Sequence, residues 1–496
     1  MRTLLFSLLL AGAATCNAQQ RSVTTLADDW LFTRDKLTWQ QVSVPHDWAI
    51  NGPFDKKWDL QYVAIEQNGE TEKSEKSGRS GALPWIGKGH YKTTFTLPEG
   101  FGHVELRFDG AMSEPVVKVN GKEAGRWAYG YNAFRVDATP YARPGRNVLE
   151  VDLSNMEESS RWYPGGGLYR PVRLIVTPKT RLDDWGGWFR TDKATAKRAT
   201  VSVSAQVAGY DKADGLAVKF TLKDAGGNTV YEKTQPVSAA DGRATVTGEI
   251  ADPHLWSPES PYLYTLTTSV LAGGKQVDAT QKRVGIRTVD VSAKHGFRLN
   301  GQSRKIKGVC LHHDLGPLGA AENKAALIRQ IRIMKEMGCD AIRTAHNMPS
   351  TMQMEVCDSM GMMVMAESFD MWIYPKCKNG YARFFNDWAE RDITNLVLNH
   401  RDHPSIIMWS IGNEIPEQWS EEGRQIAVRL QDLCHRLDPT RPVTQGMDRA
   451  EDALKSGFAQ AMDVPGFNYR VHKYDTSIKQ LPQGFLLGSE TASTVS

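Results

Sequence analysis

The stretch Ser405-Ile406-Ile407-Met408-Trp409-Ser410-Ile411-Gly412-Asn413-Glu414 decides how the C-terminal part of this chain is read. Its apolar residues run on without alternating, the pattern of a strand covered on both faces in a helix-wrapped parallel sheet. The run ends on Asn413 and Glu414, and an ionisable carboxyl in such a place is costly unless partners hold it. Candidate strands at 306–312, 341–346 and 362–367 precede it, and others at 442–446, 466–469 and 484–490 follow. Between the first two, Leu327, Ile328, Ile331, Met334 and Met337 recur at helical spacing. Repeated β-α units over 289–496 predict a (β/α)8 TIM barrel. Seven strands are countable, so the barrel is expected to be incomplete, missing its last β-α unit.

Upstream the pattern changes to short alternating strands. His90 to Leu97 and Val104 to Phe108 alternate, and Asp109-Gly110 and Asn120-Gly121 are dipeptides of hairpin type. With the large rings of Trp85, Trp127, Trp162 and Tyr163, residues 19–180 read as a β-sandwich of jelly-roll type. Residues 181–288 alternate again, at 200–207 and 262–271, with Asp241-Gly242 and Gly273-Gly274 as punctuation. That length and spacing predict an immunoglobulin-like β-sandwich.

Composition bounds the function. Charged residues make up 24% and the net charge is +3, so no strong field favours nucleic acid or an anionic membrane. Arg2 followed by the apolar run 4–14 and Ala18 predicts a secretory signal peptide over 1–18, too short to span a bilayer. The mature chain is then expected outside the cytoplasm, in the periplasm of a Gram-negative source. Cys16 raises lipidation, against which Thr15 is a poor preceding residue. Five cysteines remain, widely spaced and without a CxxC pair, which argues against a disulfide framework or a structural zinc site. They are expected to be small buried hydrophobes, and most of the fourteen tryptophans to fill cores.

In a barrel of this kind, reactive groups sit where strands end and βα loops begin. The ends here are polar: His312-His313-Asp314, Arg343 with His346-Asn347, Glu367-Ser368-Phe369-Asp370, Asn413-Glu414, Asn468-Tyr469 and Ser489-Glu490. Any one of them could cap a helix or bind water, but six at one mouth predict a site. Two carboxylates there are what retaining glycoside hydrolysis needs: one protonates the leaving oxygen and later deprotonates water, and the other attacks the anomeric carbon.

The segment 406–414 resembles the acid/base signature of glycoside hydrolase family 2. Gly488-Ser489-Glu490-Thr491-Ala492-Ser493 resembles the nucleophile segment of its β-galactosidase-like members. Residues 43–48 and 160–170 are similar to the sugar-binding N-terminal domain, and 340–347 to the second-strand segment. The resemblance implies Glu414 as general acid/base and Glu490 as nucleophile. Asn413 would hold the sugar 2-hydroxyl, Tyr469 would hydrogen-bond the nucleophile, and Arg343 would keep it ionised. His312 and His346 would contact sugar hydroxyls or the transition state, and Asp370 and Trp372 the subsite wall. His313 reads equally as such a contact and as a helix cap or supporting residue, and Arg161 is a candidate to reach the mouth from the first domain.

Some members hold Mg²⁺ through a carboxylate and a His past the third strand. This chain has Glu367 to Trp372 there without a His, so no metal is expected to be required. No HExxH, Walker or dinucleotide motif appears. The expected activity is a retaining exo-β-glycosidase acting on terminal β-galactosyl residues of glycans. A β-glucuronidase, a β-mannosidase and a non-catalytic carbohydrate-binding fragment are the alternatives.

Overall fold

The computed structural model describes residues 20–58, 62–64, 73–75 and 85–492. The signal-peptide reading, with Cys16, lies outside the described residues.

The first sandwich pairs two antiparallel sheets. One has four strands, in the order Ser22–Thr25, Val172–Thr177, His103–Phe108, Phe134–Asp137. The other has six and is centred on Lys88–Leu97 and Gly145–Ser154. Lys88–Leu97 buries every second residue from Gly89 to Leu97, as its alternation predicts. Trp30, Phe32, Trp48, Tyr91, Phe108 and Phe134 fill the space between the sheets. Asn120-Gly121 makes the expected hairpin: both residues have positive φ, +52° and +78°, which matches the twist of the flanking strands. Asp109-Gly110 does not. The next strand, Val116–Val119, belongs to the other sheet, and Asp109 is buried against Arg173. Gly110 is needed for space, because a Cβ there would come within 2.8 Å of Arg170 Cδ.

The second sandwich stacks a three-stranded sheet, Arg181–Ala194, Arg198–Ala208 and Arg243–Ala251, on a four-stranded one. Gly273-Gly274 turns the hairpin from Tyr264–Ala272 into Lys275–Val284.

A small sheet over Val289–Ser292, Gly296–Leu299 and Gln302–Ser303 follows, which the β-α reading of 289 onward does not anticipate. Its Phe297 and Leu299 pack with Ala341, Met363, Ile407 and Val464, at or near the starts of barrel strands, and so close the bottom of the barrel.

The barrel is a seven-stranded parallel sheet in sequence order. Its strands are β1 (Gly308–Leu311), β2 (Ala341–Thr344), β3 (Met363–Glu367), β4 (Ile406–Asn413), β5 (Val443–Met447), β6 (Val464–Asn468) and β7 (Leu487–Glu490). The main helices are α1 (Lys324–Glu336), α2 (Thr351–Met360), α3 (Phe385–His400) and α4 (Glu421–Leu437). Asn323, Ser350 and Ser420 cap α1, α2 and α4 by accepting a backbone N–H of the first turn. Strands β2 to β6 are buried at every position, while β1 and β7, each with one strand neighbour among the described residues, are half exposed.

The first sandwich is bolted to the barrel. Asp47, from the 43–48 motif, accepts N–H from Gly166 and Ala320 and the hydroxyl of Tyr163. Among the described residues, no helix is long and apolar enough to cross a membrane. Of the five remaining cysteines, all free, Cys357, Cys377 and Cys434 are buried as expected, but Cys310 on β1 is exposed.

Candidate active site

Strand β2 delivers Arg343 into the barrel mouth, where it is buried and fully used. Nε donates to Glu367 Oε2 at 2.7 Å, Nη1 to Glu490 Oε1 at 2.7 Å, and Nη2 to Asn413 Oδ1 at 2.8 Å. Burial disfavours the guanidinium charge, but Glu367 and Glu490 outweigh that and raise its pKa. The approach needs a bare backbone opposite: a Cβ on Gly446 of β5 would lie 2.7 Å from Arg343 Nη2 and 2.8 Å from Asn468 Oδ1.

Glu490 ends β7. Tyr469 donates its hydroxyl to Oε2 at 2.6 Å, and its backbone N–H bonds the Glu490 carbonyl. Burial alone would push this carboxyl up. Arg343 first, then His346 and the Tyr469 hydroxyl, hold it below the usual carboxylate range.

Glu414 follows β4 on the far side of the same network. Asn468 Nδ2 donates to its Oε1 at 3.0 Å and to Asn413 Oδ1 at 3.1 Å. A path of four hydrogen bonds therefore joins the two carboxyls, through Asn468, Asn413 and Arg343. Glu414 and Tyr469 have φ of +44° and +56°, a conformation unusual for such residues and found where surroundings fix it.

The expected residues fall into two groups. Arg343, His346, Asn413, Glu414, Tyr469, Glu490 and Asp370 share the network. His346 Nδ1 contacts Glu367 Oε1 at 2.7 Å and its Nε2 lies 3.7 Å from Glu490 Oε1. His312 is exposed at the mouth, stacked on Trp162 with centroids 5.0 Å apart. His313 stands behind it, its Nε2 3.1 Å from the Pro164 carbonyl, in a supporting position. Trp372 does not form a wall: it is fully buried, stacks on Phe385, and donates Nε1–H to the Ile411 carbonyl. It packs behind β4, because the apolar strand needs cover on its helix side as well.

Asp370 faces inward to the protein. Arg161 grips both its oxygens at 2.8 and 2.6 Å, Lys376 Nζ lies 3.0 Å from Oδ1, and Asn413 donates Nδ2–H to it at 3.0 Å. Burial would raise its pKa, but Lys376 and Arg161 hold it far below the usual range. Arg161 thus reaches the mouth from the first sandwich. The Mg²⁺ that the resemblance raises does not fit here, since an ammonium and a guanidinium already occupy the one carboxylate past β3. Among the described residues, no group of three or more His, Cys, Asp or Glu side chains is arranged to hold a metal ion.

Glu367 and Asn468 stand among the polar strand ends read from the sequence, without an assigned role, and Lys376 was not singled out. Glu367 is fully buried and takes Arg343, His346 and Ser410 as donors. It closes an apolar run as Glu414 does, so the same signal could have found it. The particular roles of Asn468 and Lys376 leave no trace in the sequence, because their partners lie on other strands and loops.

Two family models match the chain: "Glycosyl hydrolases family 2" over residues 180–287 and its TIM barrel domain over 289–480. The chain belongs to glycosyl hydrolases family 2. Within that family, it is 36% identical to the β-galactosidase BoGH2A of Bacteroides ovatus, over 90% of this chain and 55% of that protein. It is 28% identical to a β-glucuronidase of Bacteroides fragilis, over 90% of this chain and 63% of that protein. A solved family 2 member from Bacteroides cellulosilyticus superimposes with a TM-score of 0.85 at 34% identity, covering 93% of this chain and 60% of that one. The chain therefore spans little more than half the length of these relatives.

Proposed function

We propose that this family 2 chain carries the catalytic centre of a retaining exo-β-glycosidase that removes terminal β-galactosyl residues from glycans. Glu490 is the nucleophile and Glu414 the general acid/base. The observation that carries this is the asymmetry of the two carboxyls. Glu490 is held ionised by a buried guanidinium and a phenol, as an attacking carboxylate needs. The Glu414 carboxyl receives a side-chain amide from Asn468 and stands free of Arg343.

In the first step Glu490 attacks the anomeric carbon while Glu414 gives its proton to the leaving oxygen. In the second, Glu414 takes a proton from water, which displaces Glu490. Asn413 serves the sugar 2-hydroxyl, and His312 and His346 serve other hydroxyls. No metal is needed for either step. The apolar run at 4–14 supports export, to the periplasm of a Gram-negative cell.

The name of the Bacteroides fragilis relative makes β-glucuronide the second reading. Against it, Arg161 and Lys376 both serve the protein's own Asp370 rather than standing free for a sugar carboxylate. A panel of aryl β-galactosides, β-glucuronides and β-mannosides decides. Turnover is expected on the galactoside, lost by about 10³-fold or more in Glu490→Gln and in Glu414→Gln. Azide should restore Glu414→Ala on an activated aryl glycoside. Unchanged activity in either Gln variant overturns the assignment, and binding without turnover in the parent chain favours a carbohydrate-binding role.

A further inference from the structure

The side chain of Glu414 is held by little of its own. Among the described residues it takes one side-chain hydrogen bond, from Asn468 Nδ2 at 3.0 Å. Where the carboxyl points is therefore set largely by the backbone beneath it. That backbone has φ of +44°, a left-handed value that a glutamate keeps where its surroundings fix it.

The surroundings fix it at the peptide that enters Glu414, which is bonded at both polar ends. Its N–H donates to the Gly446 carbonyl of β5 at 2.7 Å. Its carbonyl, that of Asn413, accepts from Lys376 Nζ at 2.8 Å. The first contact is an ordinary strand-to-strand bond. The second comes from a side chain on the segment after β3, and an ionised donor makes the stronger bond.

Lys376 is itself held in place. Its side chain is 12% exposed, and Nζ lies 3.0 Å from Asp370 Oδ1. That oxygen also accepts Nδ2–H from Asn413 at 3.0 Å. Lys376, Asp370 and Asn413 thus close a ring of three contacts around the residue before Glu414. Arg161 of the first sandwich pins Asp370 through both its oxygens, so the ring is anchored in another domain. Asp370 reaches Asn413 by its side chain, which can turn about its own bonds. Lys376 reaches the carbonyl, and so holds the plane of the peptide.

We propose that Lys376 is a positioning residue for the acid/base: through the Asn413 carbonyl it fixes the peptide that carries Glu414 and keeps the carboxyl aimed at the departing oxygen. The inference rests on the two-glutamate reading above. Lys376 pairs with Asp370 and not with Glu414, so its effect passes through the backbone. A misplacement of about 1 Å in a reacting group can cost about 100-fold in rate.

The test uses the intact chain and two aryl β-glycosides of one sugar. The phenyl glycoside needs a proton on its leaving oxygen, and the 2,4-dinitrophenyl glycoside does not. Lys376→Met should lower kcat/KM by about 100-fold on the first and by less than about threefold on the second. Its kcat on the dinitrophenyl glycoside should still fall, because water needs the base, and azide should raise it again. On the phenyl glycoside in a Glu414→Ala background, the same change should cost less than about twofold, because the group it positions is gone. Lys376→Gln, which keeps a neutral donor, should lie between the Met variant and the parent. Equal losses on both glycosides, no loss on either, or full additivity with Glu414→Ala overturns the positioning role and leaves the catalytic reading standing. No turnover by the parent chain overturns both. If Lys376→Met does not fold, Lys376→Gln is read on the same two substrates. If neither folds, the lysine serves the fold and the positioning role fails.

Discussion

Two largely buried carboxylates in this molecule have full sets of partners and opposite fates. Glu490, at the barrel mouth, is held below the usual range. Asp392, where α3 meets the first sandwich, is pushed up to about 6. Asp392 accepts from Trp127 Nε1 and Asn132 Nδ2, each at 2.8 Å, and from the Tyr381 hydroxyl. These donors are neutral, and they offset only part of the burial cost, with Arg391 adding little. Glu490 has Arg343, a cation that burial cannot neutralise because Glu367 shares it. At Asp392 hydrogen bonds from neutral side chains do not outweigh burial, whereas at Glu490 a fixed opposite charge does. One carboxylate sits at an open barrel mouth, and the other joins the first sandwich to the barrel.

The sharpest way to break this contrast is Arg343→Met. It would leave Glu367 and Glu490 without their shared cation, so turnover should fall by about 10³-fold or more, with a stability loss of about 3–5 kcal/mol. Packing damage alone would not move the acidic limb of the kcat/KM profile. That limb should shift to higher pH, and Arg343→Lys should bring it part of the way back. An unmoved limb in a folded variant would remove Arg343 from control of Glu490.

Asp392→Asn tests the other side. The folded pKa of Asp392 is raised, so the native state holds its proton where the unfolded chain has lost it. The stability this contributes is present in full below the unfolded value of 3.8 and is lost as pH rises through about 6. The amount at stake is roughly 3 kcal/mol. Urea unfolding between pH 4 and pH 7 should show that decline in the parent chain and a flatter curve in the variant. Equal slopes would mean that Asp392 is charged in the folded protein.

Much of this was legible beforehand, for identifiable reasons. The run at 406–414 is apolar without a break because β4 is covered on both faces, and the resulting strand spans Ile406–Asn413. All seven barrel strands lie within three residues of their expected places, and the five between β1 and β7 are buried at every position, as covered parallel strands must be. Asp109-Gly110 misled because a turn dipeptide records a local backbone shape, while here the chain changes sheets. Trp372 misled because a Trp beside polar strand ends looks available to a ligand, yet its indole covers β4 from behind. The Arg161–Asp370–Lys376 cluster was readable only in part, because residues 209 positions apart meet there through the docking of the first sandwich onto the barrel. Side-chain networks between strands leave no periodic trace in the sequence.

Tyr469→Phe offers the finest resolution of the contrast. It removes one neutral donor from Glu490 and leaves Arg343 in place. If the cation is what keeps this carboxylate ionised, the phenol contributes a hydrogen bond to a charged group, and its loss should cost about 10- to 100-fold in kcat/KM. The acidic limb should move upward, because the ionised form has lost a partner, but by less than in Arg343→Met. With Glu490 as the proposed nucleophile, KM should change less than kcat, since the phenol bonds that carboxylate. A limb that moves as far in Tyr469→Phe as in Arg343→Met would show that neutral donors can do at the mouth what they do not do around Asp392. The rule drawn from the two carboxylates would then fail.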